Sequence, residues 1–537
     1  GIIMKKILAV IPARAGSKGI PNKNIRLVAN KPLIYYSIKN AKDSQLITDV
    51  IVTTDSPEIE VIAKQMQVAY KHRDARLCGD AVTLDAVIYD AIPAESDYDY
   101  IVTMQPTSPT LKAETLDAAI QYAMDNELDT VISVINRPHL SWVEKDGKKV
   151  PNYKERLNRQ YLPPLYMETG AFVISRREVV TEKTRIGERI DVFQVSEAEA
   201  VDIDTFADLR YVETILQNKK VAFYVNGNNK RGTGHIYRAL ELADEFYMKP
   251  DIYYDLNQTD PKIFGNTTHN LIAVDGIGEL LTILEREQYD IMINDILTTS
   301  IDYMIAVRKA LPYGKIINFE DDGEGIYKAD LVINALYQES DLPYIMTGEK
   351  YYISSKLFMF YDPIEIREKV EKVFISFGGA DPQNYSDRLL KMISREEYRK
   401  YEFHVVLGRA KTNIEELLKY NQYDNIHVYY DISNMPEIMT QCDIGITSRG
   451  RTGYELAILG IPSIAMAQNK REEKHGFVCN ENGFSYIGLN PSDHVIETTM
   501  RMYMEMSKEE RERYQKILLG HDLRHGRRRV MNLINSL

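Results

Sequence analysis

Ile7-Leu8-Ala9-Val10-Ile11-Pro12-Ala13-Arg14-Ala15-Gly16-Ser17-Lys18-Gly19-Ile20-Pro21-Asn22-Lys23-Asn24 opens with five apolar residues closed by a proline. A short bounded run of this kind predicts a strand buried on both faces of a parallel sheet. The loop behind it holds two glycines, a serine and the cations Arg14, Lys18 and Lys23. Glycines let backbone N–H groups approach a phosphate, and cations neutralise its charge. Ligands of open α/β sheets bind beyond the carboxyl ends of the strands. The loop therefore reads as a triphosphate cradle, with Ala13, Gly16, Ser17, Lys18 and Asn24 around the nucleotide and Arg14 and Lys23 on its charge. The spacing is neither G-x-x-x-x-G-K-[ST] nor G-x-G-x-x-G. A surface loop with ordinary charges is the bland alternative.

Outward from this stretch, Pro32–Ala41 has helical apolar spacing, Val50–Asp55 reads as a strand, and a helix is expected over Pro57–Gln67. This βαβ rhythm predicts a doubly wound parallel sheet. At 537 residues the chain exceeds one core and implies two to four domains. Its net charge of −12 argues against nucleic acid or an anionic membrane as partner. No apolar run approaches the roughly 20 residues of a membrane span. The three cysteines, Cys78, Cys442 and Cys479, have no metal-ligand spacing and read as thiols of a reducing cytoplasm. Met4-Lys5-Lys6 superficially resembles a signal peptide, but its apolar segment is short and runs straight into Arg14. Gly1–Ile3 read as an added lead-in to a natural start at Met4.

Further chemistry-bearing residues follow in order. Arg73, in Arg73–Asp80, has a solvated surface arginine as its bland reading. Asp99–Thr110 is a strand ending in a proline-bounded loop. There Gln105 is placed to bond a sugar hydroxyl or a base edge, while Thr107 and Ser108 are expected to cap a helix starting near Ala113. In Val201-Asp202-Ile203-Asp204-Thr205, alternation puts both carboxylates on one side of an extended segment. Hard oxygen ligands at this spacing suit Mg²⁺ or Mn²⁺ bound with nucleotide phosphates. The competing reading is an N-cap.

The pattern A-R-x-G-S-K-G-I-P-x-K-N over Ala13–Asn24 resembles the CMP-acylneuraminate (CMP-sialic acid) synthetases. The resemblance recurs in Met104–Pro109, in Arg159–Ala171 and in the D-I-D-T of Asp202–Thr205, ending near Leu209. It implies a GT-A-like nucleotidyltransferase domain that transfers CMP from CTP to a nonulosonic acid. It further implies Asp202 and Asp204 on the metal, with Asp204, Arg14 and Lys23 in catalysis, and Arg73 as a phosphate or cytosine contact. Gln105, Arg159 and Gly170 would line the acidic-sugar pocket, Arg159 as a carboxylate clamp. The family's dimers pass a hairpin across the interface, so a homodimer or higher homo-oligomer through this domain is expected. Met167 departs from the residue often found there, which bears on which acidic sugar is used.

A new apolar strand at Val221–Val225 marks a domain boundary, giving residues 4–218 and 219–537. Gly232-Thr233-Gly234-His235 then delivers a histidine to a helix start, where a positive helix end favours the neutral base. Strands are read at Tyr289–Asp295, Lys315–Asp322 and Ala329–Asn334. A second Rossmann-like half begins at Val373 and runs through His404–Gly408, Ile426–Tyr430 and Asp443–Thr447. Two such halves, about 219–365 and 366–537, form a GT-B-like pair. The loops resemble the UDP-sugar hydrolase of pseudaminic acid biosynthesis, in Gly232–Arg238, Phe377–Asp381 and Glu455–Ile464. That resemblance implies His235 activating water, Gly378 and Gly379 seating pyrophosphate, and Glu455 on the ribose of a UDP-sugar. The sequence departs at Asp295, where a following histidine is missing, and at the extra cations Arg449 and Arg451. A glycosyltransferase or a non-catalytic sugar-nucleotide-binding module are the alternatives. The basic run Arg524–Arg529 reads as a solvated face or a contact to the first domain.

Overall fold

The structure, a computed structural model, describes residues 4–16, 19–228, 233–337 and 339–537. Close contacts divide the chain into two units, Gly1–Asn218 and Lys219–Leu537.

The first unit is built on seven strands. Their order is Ile190–Gln194, Thr130–Asn136, Tyr166–Arg176, Tyr100–Met104, Ile7–Pro12, Asp49–Thr54, Ala69–His72. The opening apolar run lies near the centre, with Ile7 to Ile11 at most 2% exposed. Its alternation serves two cores. Ile7, Ala9 and Ile11 pack with Ile34, Ile38, Leu116 and Ile120, while Leu8 and Val10 pack with Ile88, Ala91 and Val180 on the other face. A strand buried on both sides needs no polar alternation, which is why it reads as a continuous apolar run.

Two expectations are corrected here. The sheet is not wholly parallel, because Tyr166–Arg176 runs antiparallel to both neighbours. The stretch before it carries a hairpin, Trp142–Lys145 with Lys148–Pro151, in place of the crossover helix that a parallel return requires. Nor do Thr107 and Ser108 cap the helix Ala113–Asp125. Its cap position is Lys112, without a side-chain bond, and Glu199 from a distant segment receives Lys112 N at 2.9 Å and Thr115 Oγ1 at 3.1 Å.

The second unit contains two parallel sheets. In the first the order is Asn270–Val274, Asp251–Asp255, Val221–Val225, Ile291–Asp295, Lys315–Phe319, Leu331–Asn334, Ile345–Thr347. In the second it is Ile426–Tyr430, Glu402–Leu407, Lys372–Ser376, Ile444–Ser448, Ser463–Ala467, Phe484–Leu489. Both begin 3-2-1-4-5-6, so the order reverses beside the first strand and opens a crevice at the carboxyl ends. The unit is a GT-B-like pair of Rossmann halves.

The boundary near residue 366 is not clean. The helix Gly526–Asn535 returns to the first half, where Val530 and Ile534 join the core of Val221, Phe223 and Ile293. The basic run that leads into it is tied down in part within the second unit. Arg524 donates to the carbonyls of Phe358 at 2.9 Å and Tyr361 at 2.9 Å, and Arg527 to the carbonyl of Ser354 at 2.7 Å and to Glu245 at 3.0 Å. Among the described residues, no helix is long and apolar enough to cross a membrane.

Candidate functional site

In the first unit the glycine loop and the Asp202–Asp204 segment meet. Lys23 Nζ donates to the carbonyl of Ile203 at 2.7 Å, and a side chain at Gly19 would lie 3.1 Å from the Asp204 carbonyl oxygen. Val201 and Ile203 are buried, so the alternation of an extended segment turns Asp202 and Asp204 outward together. The capping reading is resolved by neighbours. Thr205 Oγ1 accepts from Asp208 N at 3.1 Å, and Asp208 Oδ2 accepts from Thr205 N at 3.0 Å and Asp204 N at 2.9 Å. This capping box starts the helix Phe206–Gln217 and leaves both aspartate carboxylates outside the cap.

Burial pushes the Asp202 carboxyl up, with the Asp204 charge adding to it, against opposition from the Thr107 hydroxyl and Lys23. Two carboxylates that repel each other at the mouth of a cationic loop are a donor set that a divalent cation satisfies. Gly170 joins them. It has φ +79°, and an added side chain would meet Asp202 Oδ2 at 3.4 Å.

The remaining loop residues divide by role. Arg14 faces outward, 3.2 Å from Asp80, and Gly16 looks onto open space. Asn24 braces the loop from within, its amide donating to the Arg14 carbonyl at 3.0 Å. Ala13 is buried and donates its N–H to Thr53 O at 3.0 Å, so that amide serves the sheet rather than a phosphate. Ser17 and Lys18 lie outside the described residues. Arg73 is no surface arginine. It is 6% exposed and donates to the Thr53 carbonyl at 3.1 Å, while its buried Nε lacks a partner. Burial lowers its pKa and Asp55 opposes that. Gln105 is half-buried at its strand end, its carbonyl receiving Ser108 N at 3.1 Å. Arg159 sits on the exposed turn Arg159–Tyr161, and among the described residues no hydrogen bond or ion pair ties it to the Asp202 group. The sequence reading missed Asp55, whose Oδ1 holds Ala15 N at 2.7 Å. Its signal was its place at the carboxyl end of Asp49–Thr54, beside the loop.

In the second unit His235, Gly378, Gly379 and Glu455 line one cavity of about 560 Å³ between the halves. His235 begins the helix Gly234–Ala243 and is 6% exposed. Its Nδ1 pairs with Asp295 Oδ1, which leaves Nε2 as the basic nitrogen. Arg238 holds the same carboxylate through Nε and Nη2, each at 2.7 Å. Burial lowers the His235 pKa, against the pull of Asp295. Burial, the largest single influence, would raise Asp295, but the charges and hydrogen bonds of Arg238 and His235 together outweigh it and keep the carboxyl low. Asp295, after which the sequence lacks the expected histidine, thus orients His235 directly.

Gly379 approaches the helix start so closely that a side chain would lie 1.9 Å from Thr233 Oγ1. Burial pushes Glu455 up to about 7, with Arg451 opposing. Arg451 bridges the halves, donating to Ile353 O at 3.1 Å. Arg449 is bound to the Val478 carbonyl at 2.8 Å and the Glu473 carbonyl at 2.7 Å, and it stacks over Tyr486. It is thus a structural cation. Glu472 and His475 also line the cavity, shifted by burial to about 7 and about 4. The sequence reading stopped at Ile464 and missed both. Gly232 lies outside the described residues.

The family pattern described as Cytidylyltransferase matches residues 8–230. The post-translational flagellin modification protein B of Campylobacter coli is 29% identical over 231 residues, covering 41% of this chain and 98% of that protein. The N-acylneuraminate cytidylyltransferase of Streptococcus agalactiae serotype III is 29% identical over 241 residues, covering 42% of this chain. This chain spans only 58% of that relative's length. Among solved structures, MurG of Acinetobacter baumannii covers 59% of this chain and all of its own, at 12% identity and a TM-score of 0.42. The likeness to cytidylyltransferases thus lies in the N-terminal region, residues 8–230.

Proposed function

We propose that the first unit transfers CMP from CTP to a nonulosonic acid of the sialic, legionaminic or pseudaminic type, releasing pyrophosphate. The observation that carries this reading is the meeting of loop and carboxylates, Lys23 on the Ile203 carbonyl between Asp202 and Asp204. The relative named N-acylneuraminate cytidylyltransferase supports it. Arg14 and Lys23 neutralise the triphosphate, and a carboxylate of the aspartate pair takes the proton from the attacking sugar hydroxyl. Mg²⁺ or Mn²⁺, held by Asp202 and Asp204, would supply charge stabilisation of the leaving pyrophosphate. Pyrophosphate release from CTP with a panel of the three acids tests the reading. Absence of release with every acid and either metal refutes it. The exposed apolar side chains Trp142, Tyr161, Tyr166 and Met167 around the hairpin are consistent with a homodimer, checked by light scattering.

For the second unit we infer hydrolysis of a UDP-linked sugar. Nε2 of His235 takes a proton from water as the oxygen attacks the anomeric carbon, and UDP leaves with the bonding pair. Gly378 and Gly379 would face the pyrophosphate and Glu455 the ribose. The buried Asp295–His235 pair opening on the cavity supports this reading. Incubation with a UDP-diacetamido-trideoxyhexose in ¹⁸O-water is the test. Label in the free sugar is expected, whereas sugar on an added acceptor supports a transferase.

A further inference from the structure

Glu402 and His404 stand two residues apart on the strand Glu402–Leu407 and so share a sheet face. On the adjacent parallel strand Ile426–Tyr430, His427 is the register partner of His404. Their rings stack, with centroids 4.9 Å apart and planes at 19°. Glu402 Oε1 lies 2.9 Å from His427 Nε2 and 3.4 Å from His404 Nε2. The three donor atoms fall within 4.8 Å of one another.

A separate observation concerns His404 alone. It is 4% exposed, its Nδ1 bonds the Tyr429 hydroxyl at 3.0 Å, and its buried Nε2 has no hydrogen-bond partner. An orphaned buried ring nitrogen is costly and calls for an explanation. A second-shell bond at one ring nitrogen that leaves the other nitrogen unbonded is the arrangement of a histidine ready to ligate a metal. Lys372 Nζ lies 3.5 Å from Oε2 of Glu402, the oxygen the rings do not use.

We propose that Glu402, His404 and His427 bind one transition-metal dication, Zn²⁺ by chemical match. Two imidazoles and one carboxylate, with a fourth position for water, suit its tetrahedral preference. Zn–N bonds of about 2.0–2.1 Å separate tetrahedral ligands by about 3.3 Å, close to the 3.4 Å already present between Glu402 and His404. The site stands apart from the sugar-nucleotide cavity. Glu402 is the first residue of its strand and His427 the second of its own, whereas Gly378 and Gly408 follow the carboxyl ends of theirs. Because Ile426–Tyr430 is an edge strand, the ion would staple that edge to the sheet.

The full chain, stripped by chelator, is dialysed against Zn²⁺, analysed for bound metal and melted with and without the ion. His427→Ala and Glu402→Gln serve as variants, their side chains being 40% and 34% exposed and so removable without opening the core. Wild type is expected to hold about one Zn²⁺ more per chain than either variant, and to gain a Zn²⁺-dependent rise in Tm that both lose. Equal metal content and equal Tm response in all three proteins overturn the proposal. Anomalous scattering at the zinc edge decides independently of variant folding. A peak between the three side chains supports the site, and zinc only elsewhere overturns it.

Discussion

Asp202 and Asp204 face outward from a segment whose alternate residues are buried. Asp204→Asn is expected to cut CTP-dependent pyrophosphate release about 100-fold or more, on the scale of losing a metal ligand. Thermal unfolding should be unchanged, since the cap belongs to Thr205 and Asp208. Burial raises the Asp202 pKa, so its anion is lost at a higher pH than an ordinary carboxylate's. In the metal-free protein the Asp202 carboxyl should therefore take up its proton above the ordinary aspartate range, as a carboxyl NMR titration would record. His235 moves the other way. Its pKa is lowered from 6.5, so the neutral base persists into mildly acidic solution, and hydrolysis should hold its rate to below pH 6.5. A limb at or above 6.5 would contradict His235 as the base. At this scale the sequence named Lys23, Asp202, Asp204 and His235, which the fold places at the meeting of loop and carboxylates and on the cavity. It did not declare Asp295 as the partner of His235, because 60 residues separate them and only the adjacency of the strands Val221–Val225 and Ile291–Asp295 brings them together.

Elements were legible where one local rule governed them. The run Ile7–Ile11 had no polar member, and it forms a strand between two cores. The strands Asp251–Asp255 and Ser463–Ala467 were missed because their signal is weak. The first is tyrosine-rich between aspartates, and the second mixes serine and alanine. The antiparallel strand Tyr166–Arg176 was unreadable in direction, since direction depends on the connection and not on the strand itself. The capping box that opens Phe206–Gln217 gives an element-scale expectation. Thr205→Ala should destabilise the first unit by about 1 kcal/mol in denaturant titration. Asp208 contributes too. Backbone N–H bonds from Asp204 and Thr205 hold its folded pKa below 3.8. That stabilisation is complete above the unfolded value and is lost as pH falls through the lower, folded one. The difference in stability between wild type and Asp208→Asn should therefore shrink in strong acid.

For the whole molecule, two units were foreseeable from a second strand-and-glycine opening at Val221. The return of Gly526–Asn535 into the first half of the second unit was not, because an amphipathic helix does not say which sheet it covers. Val530→Asp places a charge in the core with Val221 and Phe223. It is expected to abolish the melting transition of the second unit, at a cost of several kcal/mol. The transition of the first unit, and pyrophosphate release with it, should survive. Calorimetry with a parallel transfer assay reads both outcomes.

The same helix bears on how the protein is made. A nascent chain that has emerged through Asn334 already carries six of the seven strands of the first Rossmann sheet, yet one flank of their shared interior is supplied only after the second sheet has also left the ribosome. The first-synthesised half must wait for its lid, and during that interval its apolar surface is exposed to chaperones and to neighbouring chains.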